Sequence, residues 1–310
     1  MVVKDKIAEL RLQIQGGVTP AMATPLQEDG ATPDLDGVTG LADFLIGSGV
    51  NGLFVGGTTG EGILLSKEAR IKLLERALKV ANGRVPVVAH AGTNTTTETL
   101  ALARHAQKVG AAAVVVVTPF YYGMGDEALF YYFQTVASAV PEMPLLAYDI
   151  PHMAVNGISP ALLGRMAAEI PSFAGVKCSR PDAQMVRALI DAGSAETMVL
   201  AGNERIAAGL LALGASGLIS GFATAVPEPF VALTRAFRQG DLSEVRRLQR
   251  LINQVLDLIP SEVRIGAIKA VLNQRGIAVG SAVPPRAMPS ESWRGWTNIK
   301  KLLDMAAIAA

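Results

Sequence analysis

Eight short β-rich runs separated by amphipathic helical segments dominate this chain, and that alternation limits it to folds built from βα units around a parallel sheet. The runs are GVTPAMATPL from Gly17, GLFVGG from Gly52, PVVAHAG from Pro86, AAAVVVVTP from Ala111, PLLAYDI from Pro144, FAGVKC from Phe173, TMVLAG from Thr197 and SGLISG from Ser216. Between them, SKEARIKLLERALKVANG carries Ser66 at a helix N-cap, an early acid, apolar residues at helical spacing and a terminal Gly83. TTTETLALARHAQKVG repeats that grammar. Half of the residues are hydrophobic and the mean hydropathy is +0.34, as expected of strands buried on both faces. Eight such units predict an α/β fold, a (β/α)8 TIM barrel whose site lies at the carboxyl ends of the strands. The barrel is assigned to residues 1–240, with a short amphipathic lead-in helix over residues 1–16. Residues 241–310 read as a C-terminal helical extension packed on the barrel, with few turn signals before VGSAVPPRAMPSES.

Charge and composition narrow the function. A formal net charge of +1 and the lack of a basic run argue against nucleic acid or an anionic membrane as partner. MVVKDKIAEL places charges where a signal peptide has its apolar core, and AAAVVVV falls far short of the ~20 residues that span a bilayer. The lone Cys178 excludes an internal disulfide and agrees with a cytoplasmic location. His90, His105 and His152 are widely spaced and form no local ligand cluster, so no metal is expected. A small neutral or anionic ligand fits this balance.

FAGVKCSRPD places Lys177 at the carboxyl end of the sixth strand, where an ammonium is costly to bury without a partner. A lysine desolvated in an apolar pocket can be lowered from about 10.4 toward about 7–8, leaving an amine able to attack a ketone and form a Schiff base. A salt-bridged lysine at a strand end is the competing reading. VGGTTGEG after the second strand and AYDIP at the end of the fifth should bring Thr58, Thr59 and Tyr148 to the same barrel mouth. Tyr148 can move protons, and the threonines with nearby backbone amides can hold a small carboxylate. Gly56, Gly57 and Gly60 permit close backbone approach.

GGTTGEG, TPFYYG, YDIP and GVKCS, in this order and spacing, resemble the dihydrodipicolinate synthase and N-acetylneuraminate lyase superfamily of pyruvate-dependent class I aldolases. The likeness runs from VTPAMATPLQEDG through GASGLISGFATAVPE into the tail. It implies Lys177 as the Schiff-base lysine, Tyr148 as general acid/base, and Thr58 and Thr59 as ligands of the pyruvyl carboxylate. It implies further that Tyr121 crosses a dimer interface to complete a relay with Tyr148 and Thr58, in a homotetramer built as a dimer of dimers. Taken without the resemblance, Tyr121 and Tyr122 also read as aromatic loop anchors. No cofactor is implied beyond the covalent lysine adduct.

Departures from the family pattern bear on substrate. Synthases of the family carry an arginine after YDIP that grips the carboxylate of aspartate semialdehyde, and Met153 stands there, which cannot imitate a bidentate clamp. Asp149 replaces the common asparagine and is expected to bind loop amides. AGNERIAAG holds Gly202, Glu204 and Arg205 where sialic acid lyases have an acidic pair for the polyol tail. Glu204 suits sugar hydroxyls and Arg205 an acidic group, and both equally suit a solvent-facing helix start. Ser179, two residues past Lys177, shares its strand face and can reach a substrate hydroxyl. Met22, Ile219 and Phe222 are expected as apolar walls, Cys178 as a buried thiol on the opposite face, and Arg180 either as a like-charge neighbour of the amine or as an ordinary ion pair. His152 fits the mouth or an exposed loop equally well.

These residues predict a lyase acting on a small 2-keto acid and aldehyde, with 2-keto-3-deoxy sugar acids favoured. The alternatives are 4-hydroxy-tetrahydrodipicolinate synthase, a related dehydratase, and a catalytically silent barrel that binds a keto acid; binding alone does not need a nucleophilic amine.

Overall fold

A computed structural model describes residues 2–309. Its eight strands are β1 (Val18–Pro20), β2 (Leu53–Val55), β3 (Val87–His90), β4 (Ala113–Val117), β5 (Leu145–Asp149), β6 (Phe173–Cys178), β7 (Met198–Ala201) and β8 (Gly217–Ser220), one within each predicted run. All pair in parallel, in the order β1-β8-β7-β6-β5-β4-β3-β2. Ala21 bridges Phe54, and Met22 N–H donates to Phe54 O at 2.9 Å, which draws β1 against β2 and brings the sheet round into a (β/α)8 barrel.

The uninterrupted apolar runs have a simple cause: both faces of the sheet are covered. Phe54, Val88, Val115, Leu146, Tyr148, Leu200 and Ile219 fill the barrel interior. Their neighbours Val55, Val114, Val116, Ala147, Val176 and Leu218 face the ring of helices. Those helices follow the expected grammar. Ser66 Oγ accepts from Ala69 N–H at 3.1 Å to start Lys67–Ala81, and Asn82 and Gly83 end it with left-handed backbone.

The lead-in helix, Val3–Ile14, turns Ile7, Leu10 and Ile14 into the interior cluster, and Gly16 N–H donates to Ser216 O at 2.7 Å ahead of β8. It therefore stoppers the amino-terminal end of the barrel. Among the described residues no helix is long and apolar enough to cross a membrane. Beyond Asp241, whose carboxylate accepts from Glu244 N–H, run helices Leu242–Asp257, Arg264–Gln274 and Gly295–Met305. Leu248, Ile252, Ile268 and Leu272 join the outer apolar layer. The extension also reaches the barrel mouth: Lys269 Nζ lies 3.0 Å from Glu61 Oε2, and Val283 N–H donates to Glu61 Oε1 at 2.9 Å.

Candidate active site

Register and alternation fix the centre of the site. In the β5/β6 ladder Tyr148 stands opposite Lys177 and Asp149 opposite Cys178, so the first pair faces the interior and the second the helices. Lys177 is 3% exposed, with Nζ 4.0 Å from the centre of the Tyr148 ring and 4.5 Å from that of Phe54. Among the described residues the ion pairs include none to Lys177, so its nitrogen is held by aromatic faces alone. Tyr148 Oη and Thr58 Oγ1 are 3.1 Å apart, a hydrogen bond joining the end of β5 to the loop after β2.

The outer face of the same ladder is fully paired. Asp149 is buried, accepts from Ile158 N–H at 2.9 Å as a loop-binding carboxylate should, and is gripped by Arg180 through Nε at 2.5 Å and a terminal nitrogen at 3.1 Å. Arg180 is thereby turned to Asp149 and to Ile158 O. Cys178 is buried there too; burial first, then the Asp149 charge, pushes its thiol up to about 12.

Thr59 is also buried, and its hydroxyl packs so closely on Gly221 that a Cβ there would lie 2.6 Å from Oγ1. Gly202 plays the same part for Ser179: a Cβ would fall 2.4 Å from the serine hydroxyl, while Gly202 N–H continues the ladder by donating to Cys178 O at 2.8 Å. Ile219 lines the interior. Met22 and Phe222 belong instead to the layer between strands and helices.

Glu204 lies near the Thr59 side of the mouth, with Oε1 accepting from Ser220 Oγ and Phe222 N–H and Oε2 paired to Arg264 at 2.9 Å. Arg205 does not join it. Its side chain is 54% exposed and pairs with Asp257 at 2.7 Å on the extension. Tyr121 is 80% exposed with φ +81°, its ring edge-on to Tyr122 at 5.0 Å, and among the described residues Tyr148 and Thr58 hydrogen-bond to each other and not to it.

A cavity of about 190 Å³ opens beside the Thr58–Tyr148 pair, walled by Phe120, Ile150 and Met153. Three of its polar residues, Glu61, His90 and Arg286, are not among those the sequence points to. His90, at the end of β3, is buried edge-on to Tyr148 with ring centres 6.1 Å apart, and its imidazole is held well below its ordinary value by burial first, then by the Arg70 and Lys177 charges. Its position as the last residue of a strand was the available signal. Arg286 comes from the loop between the last two helices, and no local pattern points it at the mouth. No group of three or more His, Cys, Asp or Glu among the described residues forms a metal site.

The model of the dihydrodipicolinate synthetase family matches residues 15–303. The chain is 34% identical to a 4-hydroxy-tetrahydrodipicolinate synthase of Methanocaldococcus jannaschii, over 89% of this chain and 93% of that one. It is 35% identical to an uncharacterised DapA-like lyase of Halobacterium salinarum, over 87% of each. Among solved structures, the sialic acid aldolase of Ruminococcus gnavus superposes with a TM-score of 0.90 at 28% identity, over 95% of this chain and 98% of that one. A prophage protein of the dihydrodipicolinic acid synthase family from E. coli K12, in complex with pyruvate, gives 0.85 at 27% identity, over 94% and 99%. A buried strand-end lysine against a tyrosine bonded to a threonine, on a barrel matched along nearly its whole length, leads to one conclusion: the chain belongs to the dihydrodipicolinate synthetase family, and is a lyase.

Proposed function

We propose that this chain makes and breaks a carbon–carbon bond next to pyruvate through an imine on Lys177, and that its favoured substrates are 2-keto-3-deoxy sugar acids. The observation that carries the reading is the Lys177 amine, buried against the Tyr148 ring and without an ion pair among the described residues, with the Tyr148 hydroxyl 3.1 Å from Thr58. The amine attacks the keto carbon, water leaves, and the resulting iminium withdraws electrons from the adjacent bond. Tyr148 takes the proton from the C4 hydroxyl as the C3–C4 bond breaks, releasing an aldehyde and leaving an enamine. Protonation of the enamine and hydrolysis then return pyruvate and the free lysine.

In this reading Thr58 and Thr59 hold the keto-acid carboxylate and Ser179 offers a hydroxyl to the tail; the Thr58–Tyr148 bond and the close packing of Ser179 on Gly202 support it. The exposed, left-handed Tyr121 supports the role the family resemblance gives it, completing the relay in a second copy of the chain within a dimer of dimers. Condensation of pyruvate with aspartate semialdehyde is the second reading, favoured by relatives named as synthases. Met153 favours the first, since an apolar side chain stands on that wall of the cavity.

Incubation with pyruvate and borohydride tests the chemistry. Peptide mapping should find the reduced pyruvyl group on Lys177, and a folded protein unmodified at that residue would overturn the imine. Relative kcat/KM for 2-keto-3-deoxygluconate cleavage and for semialdehyde condensation decides between the two substrates.

A further inference from the structure

His90 touches both halves of the Thr58–Tyr148 pair. It is buried, 7% exposed, and lines the cavity beside them. Its ring is edge-on to Tyr148 at 6.1 Å and to Phe54 at 6.0 Å, the two rings that carry the Lys177 nitrogen. Toward the loop after β2, Nδ1 lies 3.1 Å from Gly56 O, two residues before Thr58. A carbonyl oxygen only accepts, so Nδ1 carries the proton and donates it. The Arg70 nitrogen at 3.3 Å from Nδ1 has a closer acceptor in His90 O at 2.8 Å, and the other terminal nitrogen donates to Gly92 O at 3.1 Å. Arg70 therefore fixes the backbone that carries the ring.

With the proton on Nδ1, Nε2 holds a lone pair, and among the described residues it is buried with no hydrogen-bond partner. Such an atom costs stability, and a phenylalanine would fill similar space without that cost. The ring is wedged as well: a Cβ at Gly92 would lie 3.1 Å from Nε2. Packing alone does not account for a histidine here. What the imidazole adds is the bond to Gly56.

We infer that His90 is a positioning residue for proton transfer, a strut whose ring edge sets the Tyr148 phenol while its Nδ1–H sets the loop that presents Thr58. The inference rests on the imine reading above, in which Tyr148 moves the proton. Tyr148 and Thr58 come from elements 90 residues apart, and their oxygens meet at 3.1 Å. The sheet does not tie them directly: β3 pairs with β2 and β4 but not with β5, so His90 makes the link across the interior that Phe54 and Tyr148 fill. A displacement of about 1 Å in such a pair is enough to cost on the order of 10²-fold in rate.

Exchange of the pyruvate methyl protons in D2O, followed by NMR on the full-length protein, tests this without an aldehyde partner. Tyr148, having given its proton to the departing hydroxyl, takes one from C3 of the iminium. The C–H electron pair enters the C2–C3 bond to make the enamine, and a deuteron returns at C3. His90→Phe keeps an aromatic ring and removes the donor. Exchange should fall about tenfold or more, with borohydride trapping at Lys177 within about threefold of the parent. His90→Asn puts an amide nitrogen where Nδ1 was and should recover part of the loss. Parent-like exchange in a folded His90→Phe protein, an Asn variant no faster than Phe, or trapping that falls as far as exchange overturns the inference. Crystal structures of the parent and His90→Phe proteins separate the two readings. No trapping in the parent removes the imine, and the strut is then judged on the Tyr148–Thr58 distance alone: opened in the variant, it stands; unchanged, it falls.

Discussion

Lys177 and Lys269 are both withdrawn from water, 3% and 0% exposed, yet their surroundings are opposite. Lys269, on an extension helix, lies 3.0 Å from Glu61 and donates to Ser281 O at 2.7 Å. Burial lowers its pKa and the Glu61 charge pulls it back up, the balance of a cation kept for structure. Lys177, on the barrel wall, has two aromatic rings and, among the described residues, no ion-pair partner. A lysine that ties elements together gives its protons to fixed acceptors, whereas one that must attack a carbonyl needs its nitrogen left open toward a cavity.

The comparison is tested most severely by removing each amine in turn. Lys177→Met should leave no trapped pyruvate and no turnover, while changing unfolding free energy by less than about 1.5 kcal/mol, since no ion pair is lost and the volume is nearly kept. A stability loss matching that of the Lys269 variant would break the distinction. Tyr148→Phe comes next: turnover should fall about 10²- to 10⁴-fold, with trapping retained, because the phenol moves protons and does not form the bond. Single-turnover measurements separate the two steps.

Lys269→Met should do the converse. It strands the Glu61 carboxylate with no exposure to water, and breaking such a pair costs roughly 3–5 kcal/mol. Urea unfolding measures this, and the folded fraction should still trap pyruvate at Lys177. Pairing the change with Glu61→Leu should recover part of the loss, since the uncompensated charge goes with it; no recovery would show that Lys269 acts through packing alone.

How much of this could be read beforehand follows from the sequence distance over which each feature is made. The strands announce themselves in short apolar runs, and period-two alternation within YDIP and GVKCS is enough to turn Tyr148 and Lys177 inward together. Thr58 and Thr59 follow from standing in the loop after β2. Contacts such as Val283 to Glu61, 222 residues apart, leave no local trace. The extension reads as helices, but a helical run reports nothing of where the loop beyond it goes, and that loop reaches the mouth. The position of Arg286 beside the mouth leaves no local trace for the same reason. Arg205 shows the opposite limit. Its position after β7 is right for the mouth, yet its long side chain pairs with Asp257, 52 residues further on.

The smallest expected effect measures how dry the Lys177 side of the comparison is. His90 stands edge-on to Tyr148, with Nδ1 3.1 Å from Gly56 O and 3.3 Å from an Arg70 terminal nitrogen. Burial, then the Arg70 and Lys177 charges, hold it well below its ordinary value, against a weaker opposing pull from Gly56. The folded protein therefore keeps this ring neutral, while the unfolded chain protonates it near pH 6.5. Below that pH the unfolded state binds the extra proton, so this contribution to stability is complete above about pH 6.5 and is lost as the pH falls, by about 1.4 kcal/mol per unit until the folded value is reached. Urea midpoints at about pH 7.5 and about pH 5.5 read the slope, and His90→Gln should remove that share of it. Equal slopes in parent and variant would mean that the ring is protonated as readily in the fold as outside it, and that the pocket around Lys177 admits water as freely as a surface does.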